Sequence, residues 1–117
     1  MTENERDTGI LKHIIVYCDQ IQATITRFGD SNEFFFTDFV YQNAVALCIL
    51  QIGELVGILS YEFKADHTQI PWRQIRAVRN IVAHHYGIVD ASTLWEIIHK
   101  DISDLKAFCE SCFDPSI

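Results

Sequence analysis

Glycine and proline are scarce in this 117-residue sequence, with 5 and 2 residues. That excludes a collagen-like fibre and a Gly- or Pro-rich linker. No repeat or low-complexity tract is visible. The start, Met1 to Asp7, is polar and acidic and lacks the basic opening and apolar core of a signal peptide. The longest unbroken apolar run, Ala44 to Leu50, falls far short of the roughly 20 residues that span a bilayer. A cytoplasmic protein with no membrane partner is therefore expected. Period-two alternation of any length is missing, so a sheet is not expected. Positive charge is also short, at 9 Lys and Arg against 16 Asp and Glu, a formal net charge of -7. Taken in bulk, that field repels phosphate and argues against a nucleic-acid partner.

What is present is apolar content, 49% of the chain, which excludes a disordered one. The length fits a single domain over residues 1–117. The periodicity is helical almost throughout. Ile10, Ile14, Tyr17, Cys18, Ile21, Ile25 and Phe28 recur at spacings of three and four, after N-cap candidates at Asp7 and Thr8. Gly29-Asp30-Ser31-Asn32 stops that helix. A second helix is predicted from about Asp38 to about Leu59, and Ser60 to Ile70 reads as a polar connection. Pro71 opens a third helix, Trp72 to about Ala83, and Gly87 follows as a breaker. Asp90 or Ser92 caps a last helix that ends by Asp114-Pro115. These elements predict an all-α up-down bundle of about four to five helices.

The second helix is apolar nearly all round, with Gln42, Asn43, Gln51 and Glu54 as its few polar side chains. A small bundle cannot cover such a helix completely, so a homodimer is expected. Gly53-x-x-x-Gly57 allows close backbone approach, either to a second copy or within one chain. The cysteines are Cys18, Cys48, Cys109 and Cys112. Cys109-x-x-Cys112 has metal or redox spacing, but no second such pair completes a zinc site. Its place at the end of a helical segment favours ordinary packing thiols. No metal or cofactor is expected.

Charge is unevenly placed. From His67 to Val89 there is no acidic residue, while Arg73, Arg76 and Arg79 all fall there. The same stretch carries Arg79-Asn80-Ile81-Val82-Ala83-His84-His85-Tyr86, an R-x-x-x-x-H-x-Y pattern. A histidine can take or give a proton near neutral pH, and an arginine can stabilise charge building on phosphoryl oxygens. On a continuous helix five residues turn about 500°, a net offset of roughly 140°. Arg79 and His84 would then diverge. The resolutions are a helix break around Ala83 to His84, two copies that bring their pairs together, or both. Asn80, four residues before His84, shares its helix face and could orient His84 or a substrate. Glu54 is either a partner for Arg79 or Arg76 or simply exposed.

The ordered set resembles the HEPN ribonucleases, specifically the HepT-like toxins of HEPN/MNT toxin–antitoxin pairs. Besides R-x4-H-x-Y, the likeness rests on Ile52-Gly53-Glu54, Ile70-Pro71-Trp72, Arg79-Asn80, and Val89-Asp90 followed by Leu94-Trp95. It covers nearly the whole chain. The resemblance implies a metal-independent ribonuclease toxin of a type VII-like system, with Arg79 and His84 catalytic in a composite site at a dimer cleft. It implies that Tyr86 accepts AMP from the cognate MNT nucleotidyltransferase antitoxin, which silences the toxin. Arg73, Arg76 and His85 become candidate RNA phosphate contacts, with Asn80 and Glu54 in support. The alternative is a non-catalytic HEPN-like dimer that binds a nucleotidyltransferase or a nucleotide. A histidine phosphotransfer domain fits poorly, because neither His84 nor His85 begins an H-x-x-K-G motif.

Overall fold

Thr2, rather than Asp7 or Thr8, opens the first helix. Its Oγ1 accepts from the Glu5 N–H at 3.1 Å, and Glu3 and Glu5 place negative charge in the first turn. The computed structural model describes residues 2–85 and 90–113 of the chain. Within them lie α1 (Glu3–Phe28), α2 (Asn32–Thr37), α3 (Phe39–Ile58), α4 (Tyr61–Asp66), α5 (Trp72–His85), α6 (Ala91–His99) and α7 (Asp101–Ser111). Among the described residues there is no strand.

The all-α expectation holds, but seven helices replace the four or five read from periodicity. The breaker cluster does end α1: Gly29 takes φ +102° and its N–H bonds the Ile25 carbonyl at 2.7 Å. Ser31 then caps a six-residue α2, and Asp38 caps α3 by accepting from the Tyr41 N–H at 2.9 Å. The polar connection contains α4, capped by Ser60. The last helix is two, divided at Lys100. The stop expected at Asp114-Pro115 and the break expected at Gly87 lie outside the described residues.

The bundle is built around α3, which packs on α1 along one side and on α5 along another, while α7 returns to α1. Ile14, Ile21, Tyr41, Val45, Ile52, Val56 and Leu105 are essentially sealed from solvent. At one end Tyr41 stacks on Phe28 and meets Phe35 edge-on, and its hydroxyl donates to the Gly29 carbonyl at 3.1 Å. At the other end Phe63, Trp72 and Phe108 pack together, with the Trp72 indole N–H bonded to the His67 carbonyl at 2.9 Å. Cys18, Cys48 and Cys109 are buried free thiols and Cys112 is exposed. Burial pushes the Cys18 thiol up to about 12 and raises Cys109 as well, so neither offers a thiolate near neutral pH.

α3 has the length and mean hydropathy of a membrane span, yet eight of its residues are buried inside the bundle. Others are not: Phe39 is 72% and Leu47 58% exposed, with Val40 and Ile58 also open. One copy of the chain therefore leaves an apolar stripe of α3 uncovered, the surplus anticipated from its sequence.

Asp7, 5% exposed, is the buried acid of the core. Instead of capping α1 it crosses to α4, accepting from the Ser60 N–H at 2.9 Å and from the Ser60 hydroxyl. The Ser60 oxygen accepts in turn from the Phe63 N–H at 3.1 Å. Asp7→Ala should cost about 1–3 kcal/mol, the range for a buried polar group left without its partner. A urea melt of the variant would check this. An unchanged midpoint would mean that α4 is held by its aromatic contacts alone.

Candidate active site

Local backbone chemistry on α3 fixes where the arginines of α5 lie. Gly53 faces Arg79: a Cβ there would overlap the Arg79 Cβ and Cγ and press on its Cα. Gly57, one turn on, faces the Arg76 guanidinium, whose Cζ stands 3.0 Å from where a Cβ would be. The glycine pair thus serves the α3–α5 seam within one chain, not close approach of a second copy. Without side chains at these positions α5 settles closely on α3, and the stems of both arginines run across it.

Their charges meet Glu54. Its Oε1 pairs with the Arg79 Nε and lies 3.5 Å from the Arg76 Nη1. The Arg76 Nη1 also donates to the Gly53 carbonyl at 3.1 Å, and the Arg79 Nη1 donates to the Asn80 Oδ1 at 3.2 Å. One carboxylate shared by two guanidinium groups leaves a net positive charge at the seam. The Arg79 side chain keeps 24% of its surface open and Glu54 42%. Ion pairs this exposed contribute about 0–1 kcal/mol to stability. Their effect is on position: Glu54 and Asn80 lie on two sides of the Arg79 guanidinium.

α5 runs without interruption through Ala83 and His84 to His85. Of the two resolutions open to the sequence, the break at Ala83 to His84 is not found in α5, and Gly87 lies outside the described residues. Arg79 and His84 therefore stand roughly 140° apart around the axis. The structure brings together Arg79, Arg76, Glu54 and Asn80. The helical backbone puts Arg79 and His84 of one chain at different positions around α5. The side chains of His84 and His85, and all of Tyr86, lie outside the described residues. Arg73 is exposed and has no ion pair among the described residues.

Two neighbours were missed in the sequence. Tyr61 and Lys64 of α4 stand across a cleft from α5, and the Lys64 Nζ donates to the Val56 carbonyl at 3.3 Å near the end of α3. Their three-residue spacing is helical, but a six-residue element is too short to show a period. Asn43, Leu47 and Leu50 of α3 with Val82 and Ala83 of α5 also line an open trough beside the end of α5.

Bundle and site together define a HEPN-type helical domain. The family description that matches, over residues 14–112, is "Ribonuclease HepT-like". The chain belongs to this HepT-like ribonuclease family. It is similar to a "Putative RNase" of Caldanaerobacter subterraneus subsp. tengcongensis, 33% identical over 82% of this chain and 84% of that protein. It is similar to a "Probable ribonuclease HepT" of Thermococcus cleftensis, 31% identical over 77% of this chain and 86% of that one. A longer protein of Methanocaldococcus jannaschii, "Gamma-glutamylcyclotransferase and putative RNase", is 34% identical over 82% of this chain, which spans 42% of its length. No solved structure matches.

Proposed function

We propose that the chain is a metal-independent endoribonuclease that works as a homodimer, with Arg79 and His84 as its catalytic residues. The observation that carries this reading is the fixed Arg79 guanidinium, held by Glu54 and Asn80 at the seam of α3 and α5. A guanidinium set in place before substrate arrives can stabilise the extra negative charge of a phosphorane-like transition state. In the reaction the ribose 2′-oxygen attacks the adjacent phosphorus and loses its proton to a His84 imidazole. The P–O5′ bond breaks, and the 5′-oxygen leaves with a proton from a second acid. The products are a 2′,3′-cyclic phosphate and a 5′-hydroxyl. A continuous α5 separates Arg79 from His84 of the same chain, and a second copy supplies the missing member of each pair. The uncovered stripe of Val40 and Leu47 on α3, next to the trough at the end of α5, is the surface for that copy.

In this reading the enzyme is the toxin of a HEPN/MNT pair, and its antitoxin transfers AMP to Tyr86. A bulky anion two residues from His84 would repel RNA phosphate and block the cleft. Purified His84→Ala and Arg79→Ala proteins should each cleave single-stranded RNA at least about a hundredfold more slowly than the wild type, with unchanged melting curves. Undiminished cleavage by both variants would reject the assignment. No cleavage by wild-type protein free of AMP would favour a binding module. Intact mass after co-expression with a neighbouring nucleotidyltransferase would read the modification directly.

A further inference from the structure

Between α4 and α5 lies a cleft of about 500 Å³ whose lining includes Tyr61, Lys64, Arg73, Arg76, Ala77 and Asn80. Its composition is unlike the rest of this acidic protein. Three cations face it, and among the described residues only Arg76 of the three is paired with a carboxylate. Its aromatic wall is Tyr61, 79% exposed, an open ring beside open positive charge. The buried Asp7–Ser60 contact ties the backbone at the start of α4 to α1, and Tyr61 is the first residue of that helix. Cations that track a backbone next to a ring that accepts a base are the two elements of single-strand recognition. The volume falls within the range of small-ligand pockets, about 300–1,000 Å³.

The cleft also has a direction. Arg73, Ala77, Asn80 and His84 follow one another on α5 at spacings of four, three and four, one stripe of the helix. From Ala77 to His84 the axis advances about 10 Å. That is within reach of the nucleotide next to the one being cleaved. We infer that this cleft is a subsite for a flanking nucleotide of the RNA, with its base stacked on Tyr61 and its phosphate held by Arg73 and Lys64. The inference rests on the ribonuclease reading, since it places the scissile phosphate at the His84 end of the stripe.

The test separates the two. A fluorescein-labelled single-stranded RNA hexanucleotide of mixed sequence is titrated into His84→Ala protein, which need not cleave. Adding Tyr61→Ala should weaken binding about tenfold, Tyr61→Phe should restore it, and Arg73→Gln should lower the salt dependence by about one ion. Both side chains are exposed, so the fold is not at risk. With active protein, Tyr61→Ala should lower kcat/KM for the hexanucleotide about tenfold and leave a dinucleotide with a single phosphodiester unaffected. Unchanged hexanucleotide affinity in Tyr61→Ala would overturn the subsite even if cleavage is confirmed. Equal losses on both substrates would overturn it too. AMP binding as tightly as the hexanucleotide would overturn the RNA assignment in favour of a free nucleotide.

Discussion

Gly53→Ala should lower the stability of the fold by about 2 kcal/mol net, whereas Gly57→Ala should change it by less than about 0.5 kcal/mol. Gly53 lies in the interior of α3, where alanine recovers roughly 1 kcal/mol of helix propensity; Gly57 is one residue from its end, where the gain is only a fraction of that. What separates them is what the new methyl group meets. At Gly53 it meets the Arg79 Cβ and Cα, atoms fixed to the backbone of α5, so the two helices must move apart. Overpacking costs about 1–3 kcal/mol and occasionally more, and an overlap with backbone-fixed atoms belongs at the upper end, so about 3 kcal/mol less the roughly 1 recovered leaves about 2. At Gly57 it meets the far end of the Arg76 side chain, which can swing into solvent. The Gly53 variant should therefore melt roughly 10 °C lower. It should also lose RNA cleavage, since parting α3 from α5 separates Glu54 from Arg79. Thermal denaturation of the two variants side by side is decisive, and equal effects at both positions would contradict the packing at this seam.

The same seam shows what sequence can and cannot convey. The apolar stripe of α1, the long apolar α3, the start of α5 after Pro71 and the Asp90 cap were all legible, because each is a local pattern repeated or punctuated along one stretch. α2 and α4 were not. Six residues hold less than two turns, and such pieces persist through caps at Ser31 and Ser60 and through tertiary contacts rather than periodicity. The division at Lys100 was hidden because Ile98, Ile102 and Leu105 keep a helical spacing across it. Asp7 has the chemistry of an N-cap, and it does hold the start of a helix, but that helix is α4, 53 residues away. At the site, Glu54 could be named as a partner for Arg79 or Arg76, and it meets both. The glycine pair announced a close neighbour without saying whose. Only the fold shows that the neighbour is this chain's own α5. The bulk charge misled for a related reason. An average of -7 conceals an acid-free α5 with three arginines, joined in space by Lys64 from a helix that the sequence did not reveal.

Two inactive chains should make a half-active enzyme. Arg79→Ala and His84→Ala protomers, co-expressed with different tags and purified through both, yield only heterodimers. If each catalytic pair joins Arg79 of one protomer to His84 of the other, the heterodimer destroys one pair and leaves the second intact, so about half the wild-type cleavage returns. The complementary heterodimer joins a wild-type protomer to one carrying both substitutions. On the same geometry each of its pairs lacks one member, and it should fall to the level of the single-variant homodimers, at least about a hundredfold down. A site assembled within one chain inverts the pattern, leaving the first heterodimer inactive and the second half active. The uninterrupted α5 makes the first pattern the expected one. Helix continuity from Trp72 to His85 sets the two residues on divergent faces, and side-chain rotation at Arg79 is restricted by Glu54 and Asn80. The arginine can reach a substrate from the α3 side of α5, but a histidine about 140° away on the same helix cannot approach the same phosphate without a second axis. A twofold related copy supplies that axis, and the exposed apolar stripe of α3 beside the end of α5 is where burial would favour it.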